Sequence, residues 1–516
     1  MAIKSIQNIN QNSNSSFWIL FTTIIGSSMA FIDNTVVNIA LPVFQSQLGA
    51  TAVDVQWIIE GYTLMLSALI LIGGALGDSF GHHKVFTLGV VIFILTSIGC
   101  GLANQPKFLI FMRILQGLGG ALLIPGSLAI ITACFPESKR GGAIGTWSAF
   151  TSITMAIGPL LGGWLIDTFS WRWIFFINVP LGILVIFLLR YKVPATPITQ
   201  PRKPDWLGGL LCLISLGSII FALIHSMLVG WDDIIVLSLL AIGIITLGSF
   251  LWWENKTPTP MMPLKFFRSP LFSSINFLTL LLYGALGGAL YFIPFVLMQL
   301  QGYSATQAGA VFLPLMLLIF LLGRFIGQLT DKIGPRKLLI LGPLIASIGF
   351  FWLMFLNIHS SYWTVMFPAI FTLGIGMAIA VPALTTAIMN SLPINYVGLA
   401  SGINNAIARI GGLLAIALFG ILLYQIFSHH LQQSIDQLNL PSNIRNYLDN
   451  EKIRLAAMSI PTTLSDSLKL TLANSIKQAF LTGFHRIVFI AAILSILSSL
   501  VIWITGPLCK KTKISF

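Results

Sequence analysis

The 516-residue chain is 56% hydrophobic and only 8% charged, with a mean hydropathy of +0.91. Soluble domains carry roughly 25% charged residues, so this composition excludes a soluble enzyme and, despite a formal net charge of +13, a soluble nucleic-acid-binding protein. Apolar runs of spanning length recur to the end of the chain, as in a polytopic membrane protein.

The chain opens with a polar tail, "MAIKSIQNINQNSNSS" (1–16), which lacks the basic, short-apolar and small-residue regions of a signal peptide. It reads as a cytoplasmic tail, with the first span as the insertion signal. A span needs about 20 apolar residues. Windows of that size predict fourteen helices, at 17–41, 55–76, 85–104, 108–133, 141–167, 172–190, 207–228, 234–253, 271–299, 306–328, 338–357, 362–390, 398–427 and 484–507. The expected class is an all-α integral membrane protein. Cys100, Cys134 and Cys212 lie in or beside apolar runs and Cys509 follows the last, the placement of small hydrophobes rather than of disulfide partners.

Orientation follows the Lys and Arg of short loops. With the N-terminus inside, inner loops hold Lys84; Lys139 and Arg140; Arg190, Lys192, Arg202 and Lys203; Lys256, Lys265 and Arg268; Lys332, Arg336 and Lys337, and the tail 508–516 adds Lys510, Lys511 and Lys513. The short outer loops hold little beyond Lys107 and Arg172. Both termini are expected in the cytoplasm of a bacterial inner membrane, with a long polar segment, 428–483, facing outward and holding short amphipathic helices, for example around "IRNYLDNEKIRLAAM" (444–458).

A repeat organises the chain. "GALGDSFGHHK" (74–84) and "GQLTDKIGPRK" (327–337) both read G-x-L-x-D-x-x-G-x-x-K, with Asp78 and Asp331 253 residues apart. Each follows an even-numbered span. Two six-helix bundles, 17–190 and 271–507, give this pattern, with a Pro-rich linker and two inserted helices between them in 191–270. Duplicated bundles are the build of alternating-access transporters.

Four ionisable residues sit inside predicted spans, where a charge costs roughly 3 kcal/mol or more and marks a functional site by default. They are Asp33, Glu60, Arg113 and Arg409; Arg324 lies nearer an end, where its long side chain can snorkel to the surface. At 1.5 Å per residue, Asp33 lies roughly 12 Å below the outer end of its span, and Glu60 and Arg113 roughly 8 Å below theirs. Three titratable groups thus occupy nearly one level of the first bundle. Desolvation favours the neutral form of a carboxyl and a nearby guanidinium favours the charged form. A carboxyl held between those two effects can exchange a proton, and two such carboxyls titrate as a pair. The alternative for Asp33 is a bond to neighbouring backbone or to Asn38 that merely locks the helix. Arg409, near midplane with Asn404 and Asn405, can bind substrate or hold the second bundle together.

The motifs resemble those of the major facilitator superfamily, and most closely its fourteen-span drug:proton antiporter branch. "IDNTVVNIALP" (32–42) matches the first-span motif, the two glycine–aspartate segments the loop motif, and "RILQGLGGA" (113–121) the fourth-span motif. "GPLLGGW" (158–164) matches the antiporter motif of span 5 and "WRWIFFINVPLG" (171–182) the start of span 6. "YFIPFVLMQLQGYSATQAGAVFLP" (291–314) and "GLASGINNAIARIGG" (398–412) match the second half. The chain departs from the pattern at His82 and His83, where the loop motif is usually basic, and at Thr154, where the antiporter motif commonly has a glycine.

The resemblance implies a major-facilitator fold and export of amphipathic or cationic small molecules, driven by the proton gradient without a further cofactor. It implies proton coupling through Asp33 and Glu60; Arg113, always charged and needing a partner, is read as their counter-ion, the alternative being a structural interhelical bond. It also implies a latch at Gly74, Asp78, Gly81 and Asp331, and a hinge at Gly158, Pro159 and Gly162, where proline bends a helix and glycine permits close packing. Asn38, Tyr62, Gln116, Tyr291, Asn404 and Arg409 are the expected cavity lining, the tyrosines through cation–π contact.

Trp57, Trp171, Trp173, Trp231, Trp252 and Trp253 at span ends are expected in the interfacial belt. Expected partners are lipid, a small-molecule substrate and an accessory protein on the outer side, with the monomer as the working unit. No phosphate-binding G-x-x-x-x-G-K-[ST] loop and no H-E-x-x-H cluster is present, so neither ATP drive nor a metal site is expected. Transport of one specific metabolite, a membrane-embedded enzyme and a channel remain as alternatives.

Overall fold

The computed structural model describes residues 13–194, 204–393, 396–438 and 440–505. The tail segments 1–12 and 506–516, with Cys509 and the three tail lysines, and linker residues 195–203, with Arg202 and Lys203, lie outside them. Every regular element described is helical. In lipid each backbone N–H and C=O must be satisfied within the protein, and a helix does this segment by segment.

Among the described residues, fourteen helices are long and apolar enough to span a membrane. They are α1 (Ser16–Leu48), α2 (Ala52–Phe80), α3 (His82–Gly101), α4 (Pro106–Cys134), α5 (Lys139–Thr168), α6 (Trp173–Tyr191), α7 (Trp206–Val229), α8 (Ile234–Lys256), α9 (Pro270–Leu300), α10 (Ala305–Ile333), α11 (Pro335–Phe355), α12 (Tyr362–Met389), α13 (Val397–Gln437) and α14 (Asp466–Thr505). All fourteen windows read from the sequence fall on these helices.

Two expectations need correction. The segment 428–483 holds a short helix where one was expected, but its two ends belong to the flanking spans. α13 continues to Gln437 and α14 begins at Asp466, and a short helix, Ser442–Glu451, lies between them. An apolar window measures membrane thickness, whereas intrahelical hydrogen bonding continues past it wherever no breaker intervenes. Trp171 is not in an interfacial belt: it is fully buried, edge-on to Phe175, with the Arg172 guanidinium 4.3 Å from its ring centre. Trp173, Trp231 and Trp252 are exposed, as expected.

The chain divides into two compact units. Among the described residues, the first comprises 13–40, 58–194, 204–217 and 244–264; the second comprises 41–57, 218–243, 265–393, 396–438 and 440–505. Both are built on close helix crossings between small residues. In the first, a Cβ on Gly89 of α3 would stand 3.0 Å from the Gly119 carbonyl of α4. In the second, Gly342 of α11, 253 residues after Gly89, lies 2.9 Å from the Gly376 carbonyl of α12 by the same measure. The turns within the two repeated segments also match, since Gly81 and Gly334 adopt φ values of +94° and +80°. Only glycine takes that conformation without strain.

Candidate functional site

Asp33 sits mid-way along α1 inside the first unit, with no exposed surface. A buried carboxylate needs both a counter-charge and hydrogen bonds; two helices supply them and a third supports the donors. From α4, Arg113 Nη1 pairs with Asp33 Oδ2. Gln116, one turn further along α4, donates from Nε2 to Asp33 Oδ1 at 3.0 Å and accepts from Arg113 Nη1 at 2.7 Å. From α6, Asn178 Nδ2 reaches Asp33 Oδ1 at 3.3 Å. Ser97 of α3 completes the set, its Oγ accepting from Gln116 at 2.9 Å and from Asn178 at 3.3 Å. All five side chains are fully buried.

Arg113 is held from other sides as well. Its Nε donates to the Ile58 carbonyl of α2 at 3.1 Å, and its guanidinium lies 4.3 Å from the Tyr62 ring centre and 5.9 Å from that of Phe175. Nη2 is buried without a hydrogen-bond partner among the described residues. The α2–α4 approach that brings Tyr62 here depends on Gly117, since a Cβ there would overlap the Tyr62 carbonyl. The Tyr62 hydroxyl in turn faces the Ala30 carbonyl of α1 at 3.5 Å.

Glu60 stands apart. It is fully buried in α2, and both its carboxyl oxygens lack a hydrogen-bond partner among the described residues. The common level read from the sequence therefore resolves into a bonded Asp33–Arg113 pair and a separate carboxyl on the helix whose carbonyl caps Arg113. The structure does not put Asp33 on its own backbone or on Asn38: Asn38 Nδ2 turns back to the Asn34 carbonyl at 3.0 Å.

The hinge motif meets the same helix. Around Pro159, α5 runs without interruption, and Cβ atoms at Gly158 and Gly162 would overlap Thr35 and Val36 of α1. These glycines let α5 lie directly against α1 two and three residues beyond Asp33. At the repeated segment after α2, Asp78 pairs with His82 Nε2 at 3.3 Å, one of the histidines that departs from the family pattern. A Cβ on Gly74 would stand 3.9 Å from the Pro125 ring of α4. Asp331 is exposed at the end of α10, and Arg324 is exposed on the same helix.

The remaining residues expected to line a cavity lie in the second unit. Asn404 of α13 donates from Nδ2 to Asn276 Oδ1 at 3.0 Å and to Thr279 Oγ1 at 2.8 Å, both on α9. Tyr291 is buried between Phe292 and Phe295, with ring centres 4.8 and 5.6 Å away. Arg409 is half-buried on α13.

Sequence reasoning missed Ser97, Asn178, Asn276 and Thr279. Asn178 and Asn276 each interrupt an apolar run and so carried a readable signal. A lone Ser or Thr in a span carries none, because its hydroxyl commonly bonds the carbonyl one turn back.

A family model described as Major Facilitator Superfamily matches residues 23–416. Among curated proteins, the multidrug resistance protein Stp of Mycobacterium tuberculosis is 31% identical over 81% of this chain and 78% of its own length. The tetracenomycin C resistance and export protein of Streptomyces glaucescens is 32% identical over 82% and 78%. The multidrug transporter protein MdtP of Bacillus subtilis is 28% identical over 91% and 90%. Among solved structures, a bacterial homologue of the human lysosomal transporter Spinster, inward-facing and occupied, aligns with a TM-score of 0.67 at 17% identity, covering 96% of this chain and 98% of its own. The inward-open xylose transporter XylE of E. coli aligns with a TM-score of 0.56 at 16% identity over 97% and 98%. At these identities the solved structures bear on the fold alone.

Proposed function

Since this chain belongs to the Major Facilitator Superfamily, we propose that it is a drug:proton antiporter, exporting amphipathic or cationic small molecules across a bacterial inner membrane by alternating access, with both termini in the cytoplasm. The names of its relatives, which include multidrug resistance and antibiotic export proteins, support the substrate class. The observation that carries the coupling is the buried Asp33–Arg113 pair, the one ion pair with both side chains fully buried among the described residues.

In this reading Asp33 is the proton acceptor and Arg113 holds its charged form. A proton arriving from outside neutralises Asp33 and removes the counter-charge that fixes Arg113. Arg113 always carries its charge, so the network must rearrange. Gln116, Asn178 and Ser97 supply amide and hydroxyl groups that can re-form around a neutral carboxyl. The Gly158 and Gly162 contacts place α5 against that point of α1, so a change at Asp33 bears on how the two helices pack. Glu60, buried and unbonded, is a second carboxyl for protons in the same unit. The proton gradient is the driving force, and Tyr62, Tyr291 and Arg409 remain the side chains proposed to meet substrate.

Proteoliposomes containing the purified protein test the reading. With a cationic dye or antiseptic as substrate, its addition should drive saturable counter-flow of protons, and Asp33→Asn should abolish that flow. Proton flux without saturation would indicate a channel, substrate turnover without a gradient an enzyme, and intact proton-driven export by the variant would remove Asp33 from the mechanism.

A further inference from the structure

α7 and α8 are the two helices that the repeat does not account for, and one end of this hairpin holds a second buried pair of acids. Asp205 immediately precedes α7 and Glu254 lies in the last turn of α8, with 9% and 2% of their surfaces exposed. Each is anchored by one oxygen. Asp205 Oδ1 accepts from the Gly208 amide at 2.9 Å, as a helix N-cap, and from Trp253 Nε1 at 2.8 Å. Glu254 Oε2 accepts from the Met262 amide at 2.9 Å. The other oxygens, Asp205 Oδ2 and Glu254 Oε1, are buried and have no hydrogen-bond partner among the described residues.

Those two free oxygens converge. They lie 2.5 and 2.8 Å from the point that a Cβ on Gly208 would occupy, so both carboxyl oxygens border the gap that the missing side chain leaves. The other groups around it offer no compensating charge. α7 contributes the Cys212 thiol, within electrostatic reach of Glu254. α2 contributes apolar Ile72 against Gly209, and the segment after α8 contributes the Met261 and Met262 amides. Lys256, two residues on, lies over the Trp252 ring at 4.5 Å.

Two buried carboxylates facing one gap would repel each other and lose their hydration. A positive species between them removes both penalties. A hard metal ion needs six or more oxygen ligands, and here only two oxygens are free. No group of three His, Cys, Asp or Glu side chains among the described residues could hold a metal. A proton needs only the two oxygens. Asp205 already accepts two N–H bonds and Glu254 only one, so the proton belongs on Glu254.

We propose that Asp205 and Glu254 share one proton, as an acid–carboxylate clamp that holds the start of α7 to the end of α8. The clamp is a protonation site separate from Asp33 and stands whether or not the Asp33 network couples transport. The folded chain then holds a proton that the unfolded chain, with ordinary carboxyls titrating near about 4, has already released at neutral pH. Stability from the clamp is therefore lost as pH rises through the pair's own titration.

The test uses the full-length protein in lipid nanodiscs, read by infrared spectroscopy and thermal unfolding between about pH 6 and about pH 9. The wild type should show a protonated-carboxyl band that disappears on raising pH, together with a falling unfolding temperature. Glu254→Gln, whose amide can donate to Asp205 Oδ2 as the proton does, should lose the component of the band that disappears on raising pH, and flatten the pH dependence of unfolding; Asp33 and Glu60 are intact in both proteins. If Glu254→Gln does not fold, Asp205→Asn reads the same site and should move the band's titration to a different pH. A band and a pH profile identical in the wild type and the folded variant would overturn the clamp. So would loss of the band on adding sodium, potassium or calcium chloride at fixed pH, which would assign the gap to a metal cation.

Discussion

Arg113 on α4 pairs with Asp33 on α1, and neither side chain has any exposed surface. Such a pair contributes less to stability than its Coulomb attraction suggests, but removing one partner strands the other charge. Asp33→Asn is expected to cost about 3–5 kcal/mol and to abolish proton-driven export. Arg113→Gln should cost a similar amount. The double variant should recover part of the stability, because no isolated charge remains, while export stays lost. A double-mutant cycle on thermal unfolding in nanodiscs checks this. Full additivity of the two losses would mean that the ion pair is not the interaction being removed.

Glu60 behaves differently because the described residues give it no bond to lose. Glu60→Gln removes neither an ion pair nor a hydrogen bond, so its unfolding temperature should stay close to the wild type, unlike that of Asp33→Asn. If Glu60 carries protons, the same variant should lose the acceleration of dye export caused by acidifying the outer solution. Measuring unfolding and pH-jump export on one preparation separates the two carboxyls. A large loss of stability would show that Glu60 has a structural partner after all.

The first carboxyl could be read from the sequence, whereas most of its surroundings could not. Asp33 and Arg113 stand out because a charge inside an apolar run is expensive, and counting residues from span ends put them at one depth. The same count put Glu60 with them, but depth along a helix does not fix the direction in which a side chain leaves it. Ser97 and Asn178 complete the network from α3 and α6 through tertiary packing that no local pattern encodes. Asp205 and Glu254 escaped notice for the opposite reason. At span ends, acids read as solvated, and only the fold shows Trp253, Gly208 and Met262 closing over them. The extra turns of α13 and α14 were hidden because hydropathy marks where lipid ends, not where the helix does.

Gly158 and Gly162 were expected to make a hinge, and the structure shows the contact that such a hinge would move. A methyl group at position 158 overlaps the Thr35 hydroxyl, and overpacking of this kind costs about 1–3 kcal/mol. Gly158→Ala should therefore lower both stability and export rate. Adding Thr35→Ala, which vacates the clashing atom, should restore stability. If export returns along with stability, the glycines serve packing alone. If stability returns while export stays slow, close sliding of α5 on α1 is part of the transport cycle.

Asn404 separates a substrate contact from a structural bond in the second unit. Its amide nitrogen already donates to Asn276 and Thr279 on α9, beside a crossing where a Cβ on Gly411 would stand 2.6 Å from the Leu280 carbonyl. Replacing it with leucine strands two buried acceptors, each worth about 1–3 kcal/mol when left unpaired. Asn404→Leu should lower the unfolding temperature and reduce export of every substrate by a similar factor. Asn404→Asp, which accepts a bond from Thr279 but cannot donate to Asn276, should fall between the two. A selective change in the substrates exported, with the unfolding temperature unmoved, would instead put Asn404 in the binding cavity, with the α9 bond giving way whenever substrate is present.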